Sequence, residues 1–205
     1  MPLRRNQPTL SALIVHAHPN PDSLSAQLRD AAIAGLSASG YSVEQINLYD
    51  EEFRAAMSRQ ERLDYPDSGA PSDPEAIRHA SLLKTADTLV FVFPTWWFGV
   101  PAILKGWFER VFVPGVAFHL SPKNNKVKSD LRHVTRLIAI TTTGADKTYI
   151  AAVGNGARWM ITRTLRLMCA PTCRTTWLSL DKIEGRTDDE RQAFIQKVEQ
   201  KLSPS

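Results

Sequence analysis

Two patterns alternate along this chain: short unbroken apolar runs rich in β-branched and aromatic residues, and longer stretches where apolar residues recur every three or four positions. The first pattern reads as strands buried on both faces of a parallel sheet, the second as helices laying one stripe upon it. Residues 9–17 (Leu10, Ala12, Leu13, Ile14, Val15) and residues 86–93 (Leu89, Val90, Phe91, Val92, Phe93) carry the strongest strand signals. Residues 134–140 and 171–180 add two more, and the alternating segment 40–50 reads as an outer, half-exposed strand. Helices are expected from about Ser23 (stripe Leu24, Leu28, Ala31, Ala32, Leu36), from Pro74 to Thr85, and from Pro101 to Phe112. Another is expected from Gly156 to Met168, with Trp159, Met160, Ile161, Leu165 and Met168 inward. The last opens at a Thr187–Glu190 capping box. Five strands with crossover helices predict one doubly wound, five-stranded parallel α/β domain over residues 1–205, helices on both faces. Glu51 to Pro74 reads as an acidic, proline-rich surface excursion, residues 113–120 as extended chain and residues 121–129 as a basic loop.

Composition changes this picture little. A length of 205 residues at 43% hydrophobic content supports one sizeable core. The net charge of +4 comes from interspersed basic and acidic residues, which suits phosphorylated ligands and does not call for nucleic acid. The apolar strand runs are too short to span a membrane, and the arginine pair near the N-terminus precedes no separate apolar segment of a signal peptide, so a cytoplasmic protein is expected. The two cysteines, Cys169 and Cys173, fit neither a redox Cys-x-x-Cys nor a zinc site and are expected as reduced thiols near the core.

The chemistry-bearing residues follow three strands. His18 to Ser25 leads from the first strand into a helix N-terminus, where unpaired amides and the macrodipole favour an anion, and the hydroxyls of Ser23 and Ser25 add donors. Neither a Gly-x-Gly-x-x-Gly nor a Walker pattern occurs there. His16 and His18 have no third ligand at suitable spacing, so no metal is expected. Pro94-Thr95-Trp96-Trp97-Phe98 follows the central strand, and its adjacent rings either fold back into the core or wait for something flat to cover them. Thr141 to Tyr149 follows a third strand, so three loops converge at one sheet edge, where open α/β sheets bind ligands.

The run from Pro94 through Phe98-Gly99-Val100-Pro101-Ala102-Ile103-Leu104-Lys105-Gly106-Trp107-Phe108-Glu109-Arg110-Val111-Phe112 resembles the signature of the NAD(P)H dehydrogenase (quinone) family, flavodoxin-like quinone reductases. The resemblance covers nearly the whole chain and implies strand order 2-1-3-4-5. It implies that the amides of Pro94–Phe98 turn bind a flavin ring walled by Thr95, Trp96, Trp97 and Phe98. It also implies that His18, Ser23, Leu24 and Ser25 hold the flavin phosphate, with Leu24 and Ser25 replacing the family's phenylalanine and asparagine. Thr142, Thr143, Gly144 and Ala145 match the family's Thr-Thr-Gly-Gly loop, Ala145 replacing its second glycine. Tyr149 corresponds to a catalytic tyrosine, and Asn155 stands where the family has a histidine.

The implied function is transfer of hydride from NAD(P)H through FAD, with FMN as the alternative, to a quinone-like acceptor by a ping-pong mechanism in a homodimer. A flavin-binding regulatory subunit of a potassium efflux system is the alternative from another class. A flavodoxin-like electron carrier is a further one, and the positive charge argues against it.

Overall fold

The computed structural model describes residues 10–65 and 71–204. In chain order the elements are β1 (Ser11–His16), α1 (Leu24–Ala38), β2 (Ser42–Asn47), α2 (Arg59–Asp64), α3 (Pro74–Thr85), β3 (Thr88–Pro94) and α4 (Ala102–Val111). There follow β4 (Phe118–Leu120), β5 (Val127–Ser129), β6 (Arg136–Thr143), α5 (Lys147–Val153), α6 (Gly156–Trp159), α7 (Arg166–Met168), β7 (Arg174–Asp181) and α8 (Asp188–Leu202). The main sheet is parallel in the order β2-β1-β3-β6-β7, which is the expected 2-1-3-4-5 once only its own strands are counted. Three sequence readings touch residues outside the described set: the N-terminal segment before residue 9, the start of the first strand at Thr9, and residues 66–70 of the proline-rich loop.

The strand pleat decides which helices cover which face. Leu13, Val15, Leu89, Phe91, Phe93, Leu137 and Ala139 point to one side, under Leu83 of α3, Leu104, Trp107 and Val111 of α4, and Ala157, Ile161 and Leu165. Ala12, Ile14, Val90, Val92, Ile138 and Ile140 point to the other, under Leu28 and Leu36 of α1 and Phe194, Val198 and Leu202 of α8. Every residue of β3 is buried, as its unbroken apolar run requires. The capping box of Thr187 and Glu190 opens α8 as its sequence predicts.

Four local expectations are corrected. The excursion from Glu51 is no loose surface loop: it buries Phe53 and forms α2, which begins in a capping box of Ser58 and Glu61. Its anchor is Arg110 on α4, only 2% exposed. The Arg110 Nε donates to Glu61 at 2.6 Å, its Nη2 lies 3.1 Å from Asp73, and its guanidinium stands 4.7 Å from the Phe53 ring centroid. Residues 118–120 are extended as expected, but the end of the expected basic loop, Val127–Ser129, pairs with them as β5 in a small antiparallel hairpin.

A helix, α5, occupies residues expected as a polar turn, because Asp146 accepts the Tyr149 amide at 2.8 Å and caps it. The helix expected over Gly156–Met168 is present but widens into a π-helical segment at Met160–Leu165. The wider turn rotates the apolar stripe, leaving Ile161 and Leu165 buried but Trp159, expected inward, 60% exposed.

Candidate functional site

The loops after β1, β3 and β6 meet at the carboxyl edge of the sheet because the register of these adjacent parallel strands aligns their ends. His16 pairs with Val92, and Pro94 with Thr142. Ala17 donates to Val92 and Thr95 to Thr142 across the same edge. The Thr95 and Thr141 hydroxyls share a 2.8 Å hydrogen bond, fixing the second loop to the third strand.

The first loop is folded on its own polar groups. The Asn20 amide donates to His18 Nδ1 at 3.0 Å and the Asp22 amide to the Asn20 side chain at 2.9 Å. Burial lowers the His18 pKa below its ordinary value, which keeps the ring neutral and able to accept. Ser23 caps α1 by accepting the Ala26 amide at 3.2 Å. Leu24 and Ser25 open the helix, and their amides have no partner among the described residues. The Ser25 hydroxyl points inward, 3.2 Å from Nε2 of the buried His16. Burial first, then the charge of Arg29, pushes the His16 pKa down to about 4, so its ring is neutral near pH 7. No group of three or more His, Cys, Asp or Glu side chains placed to hold a metal ion occurs among the described residues.

The second loop contains the most strained backbone of the site. Trp96 and Gly99 exchange two hydrogen bonds, N–H to carbonyl at 3.2 and 3.0 Å, so Trp97 and Phe98 occupy the tip of a two-residue turn. Both have positive φ, 49° and 58°, as in the mirror-image hairpin turns that favour asparagine and glycine. Bulky residues there cost on the order of 1 kcal/mol or more each, a strain found at ligand clamps. The turn leaves Trp97 97% exposed and Trp96 43% exposed. The amides of Trp97 and Phe98 have no partner among the described residues.

The third loop completes the edge. Thr142 and Thr143 are buried, Gly144 is exposed, and the Ala145 amide donates to the Thr143 hydroxyl. Tyr149 projects from the first turn of α5, 58% exposed, with its ring 5.6 Å from that of Phe98 and its hydroxyl free among the described residues. The Asp146 cap that aims it receives the Thr148 hydroxyl and Tyr149 amide hydrogen bonds, which hold its carboxyl down to about 2. Asn155 caps α6, its Oδ1 accepting the Arg158 amide at 2.8 Å, and only its NH₂ is left to donate elsewhere. Two residues on, the Ala157 amide donates to the Phe98 carbonyl at 3.2 Å and fastens the aromatic turn to that helix.

The singled-out residues Pro94, Thr95, Trp96, Trp97, Phe98, Thr142, Thr143, Gly144, Ala145 and Tyr149 thus sit on two adjoining loops, beside His18, Ser23, Leu24 and Ser25 on a third. The His18 ring lies 6.3 Å from Trp96. Sequence reasoning missed Asp146 and Ala157, the groups that position Tyr149 and Phe98. The Asp-x-x-Tyr spacing carried a legible cap signal for the first; nothing local announced the second. An apolar hollow of about 830 Å³ between α4, the β4–β5 hairpin and the π-helical segment includes none of the singled-out residues.

Comparison with known proteins agrees with this geometry. A model of the flavodoxin-like fold matches residues 11–203. NAD(P)H dehydrogenase (quinone) 1 of Rattus norvegicus is 34% identical over 153 residues, 67% of this chain and 55% of that protein. The chain therefore spans about half the length of the first curated relatives it matches. The solved structure of Smu.1420 from Streptococcus mutans superposes with a TM-score of 0.81 at 30% identity, covering 94% of this chain and 98% of that one. An FMN-dependent NADH-azoreductase from Bacillus anthracis, solved with FMN, shares the fold at TM-score 0.72 and 19% identity, over 94% of this chain and 97% of its own. From the parallel sheet, the three converging loops and these matches, the chain belongs to the flavodoxin-like family that includes the NAD(P)H dehydrogenases (quinone).

Proposed function

We propose that this protein is a flavin-dependent NAD(P)H:quinone oxidoreductase. The observation that carries the reading is the Trp97–Phe98 turn: two bulky residues held at positive φ, free amides, and exposed rings beside two further loops with free donors. That combination fits a planar ring with hydrogen-bonding edges, and the free amides of Leu24 and Ser25 fit the phosphate such a ring carries. A bound flavin would supply the redox chemistry, accepting hydride from a nicotinamide and delivering it to the acceptor in separate half-reactions.

The chain's own residues supply placement and charge. The Trp97 and Phe98 amides orient the ring, and Trp96, Trp97 and Phe98 exclude water from one side. The free Tyr149 hydroxyl donates to negative charge that builds during reduction, and Asn155 adds a neutral N–H donor where the family has a histidine. Asp146, well below ordinary carboxylate range, stays ionised and keeps Tyr149 in place. No side chain has to transfer a proton.

FAD is the favoured flavin: the packed excursion that Arg110 anchors offers surface for an adenosine, and FMN, present in the azoreductase, is the alternative. The exposed Trp97, Leu120 and Val127, together with the 830 Å³ apolar hollow, support a homodimer that covers them. Quinone-stimulated oxidation of NAD(P)H by the purified, flavin-loaded protein tests the enzyme. Flavin binding without turnover would favour the regulatory subunit instead.

A further inference from the structure

A second hollow, about 890 Å³, runs along the free edge of β7 and is quite unlike the apolar one. Lys147, Arg158, Trp159, Arg163, Trp177 and Lys197 line it. Its four cations face a single carboxylate, Asp181, which already accepts the Ser179 hydroxyl at 2.6 Å. Elsewhere six arginines, Arg29, Arg54, Arg78, Arg110, Arg186 and Arg191, hold carboxylates. None of the four groove cations has such a partner among the described residues. The groove also keeps an indole in water, Trp159 at 60% exposed, with the Arg163 guanidinium 4.4 Å from its ring centroid.

The position of the groove links it to the site. Asp181 pairs with Thr143 of the third loop, and Asn155 and Lys147 flank that end. From Asp181 to Thr175 the strand descends about 20 Å, a span suited to an extended nucleotide leading away from the loops. An unmatched basic cluster in a concave surface concentrates anions, arginine forks suit phosphate, and an exposed indole offers a stacking face for a base.

We propose that this groove binds the phosphorylated adenosine half of NADPH, with Arg158, Arg163 and Lys197 as phosphate partners and Trp159 as the adenine platform. The inference rests on the oxidoreductase reading above and extends it by naming the phosphorylated dinucleotide, since the surplus of positive charge is best matched by the extra 2′-phosphate.

The test uses the flavin-loaded protein titrated with adenosine 2′,5′-bisphosphate and with 5′-AMP, followed by calorimetry and by tryptophan fluorescence. The bisphosphate is expected to bind about tenfold or more tighter than AMP, with quenching of Trp159 and a steep loss of affinity with salt. In Arg158→Gln/Arg163→Gln that preference should vanish while circular dichroism and flavin absorbance match the parent, and KM for NADPH should rise about tenfold against less than about twofold for NADH. Trp159→Phe should keep the binding preference and lose the fluorescence response. Equal binding of the two nucleotides, or none, would overturn the proposal and leave the groove a solvated face. NADPH oxidation whose KM ignores the double variant would also overturn it, with the oxidoreductase reading intact. Preferential bisphosphate binding by a protein that oxidises no NADPH would support the phosphate site and sink the oxidoreductase reading.

Discussion

Tyr149 and the two buried histidines carry the sharpest residue-scale expectations. Tyr149→Phe removes one hydroxyl that has no partner among the described residues and leaves the ring packed on Phe98. Quinone reduction should fall by roughly tenfold with the flavin retained, and an unchanged rate would transfer the donor role to Asn155. His16 and His79 make stability depend on pH. His79 is fully buried, with Nδ1 accepting from the Trp107 indole at 3.2 Å and Nε2 2.8 Å from Glu51, an arrangement made for the neutral ring.

Burial lowers the His79 pKa despite Glu51, and lowers that of His16 to about 4. Both folded values lie below the unfolded one near 6.5, so the unfolded chain takes up protons first. The stability is present in full above pH 6.5 and is lost as pH falls toward 4, by about 3 kcal/mol for His16 alone. Urea titrations of the parent and His16→Gln between pH 7 and 4 should show a shallower decline in the variant; parallel declines would contradict the account. The sequence marked His16 and His18 as a pair, but β1 ends at His16, which is buried, while His18 lies in the partly exposed loop and accepts the Asn20 amide. The positive φ of Trp97 and Phe98 was illegible, because nothing in two aromatic residues asks for left-handed backbone.

Between elements, close approach matters more than any single contact. A Cβ on Gly106 would collide with the Ala55 backbone, so α4 can lie against the excursion only with glycine there. Gly106→Ala should cost about 3 kcal/mol in a denaturant titration, whereas the same change at exposed Gly185, with open space around it, should cost under about 1 kcal/mol. Burial by itself would raise the Glu61 pKa, yet the Ser58 amide and Arg110 bring it below the ordinary value, so the excursion is held by an ionised network.

The strands were legible because parallel strands buried on both faces leave no polar position to obscure the pattern. The excursion misled because a buried arginine reads in sequence like a solvated one, and its carboxylate partners lie 37 and 49 residues away. The π-helical segment likewise has no compositional mark, so the exposure of Trp159 could not be read from spacing.

For the molecule as a whole, the loops, hollows and exposed rings fit a two-subunit flavoprotein. Light scattering at micromolar concentration should return twice the 22.9 kDa chain mass, and a monomer would contradict the dimer. The thiols of Cys169 and Cys173 should take no part in turnover: both are buried and free, and burial first, then the neighbouring Cys173, pushes the Cys169 pKa up to about 12. The central claim, that this edge of the sheet holds a working flavin, has one direct measurement. Protein purified without added cofactor is examined by absorbance and by the mass of what heat releases, then mixed with NADPH without oxygen and finally with a quinone. The account predicts a yellow protein releasing FAD, bleached by NADPH and recoloured by the quinone; a colourless protein that takes up no flavin, or a bound flavin that NADPH leaves oxidised, would contradict it.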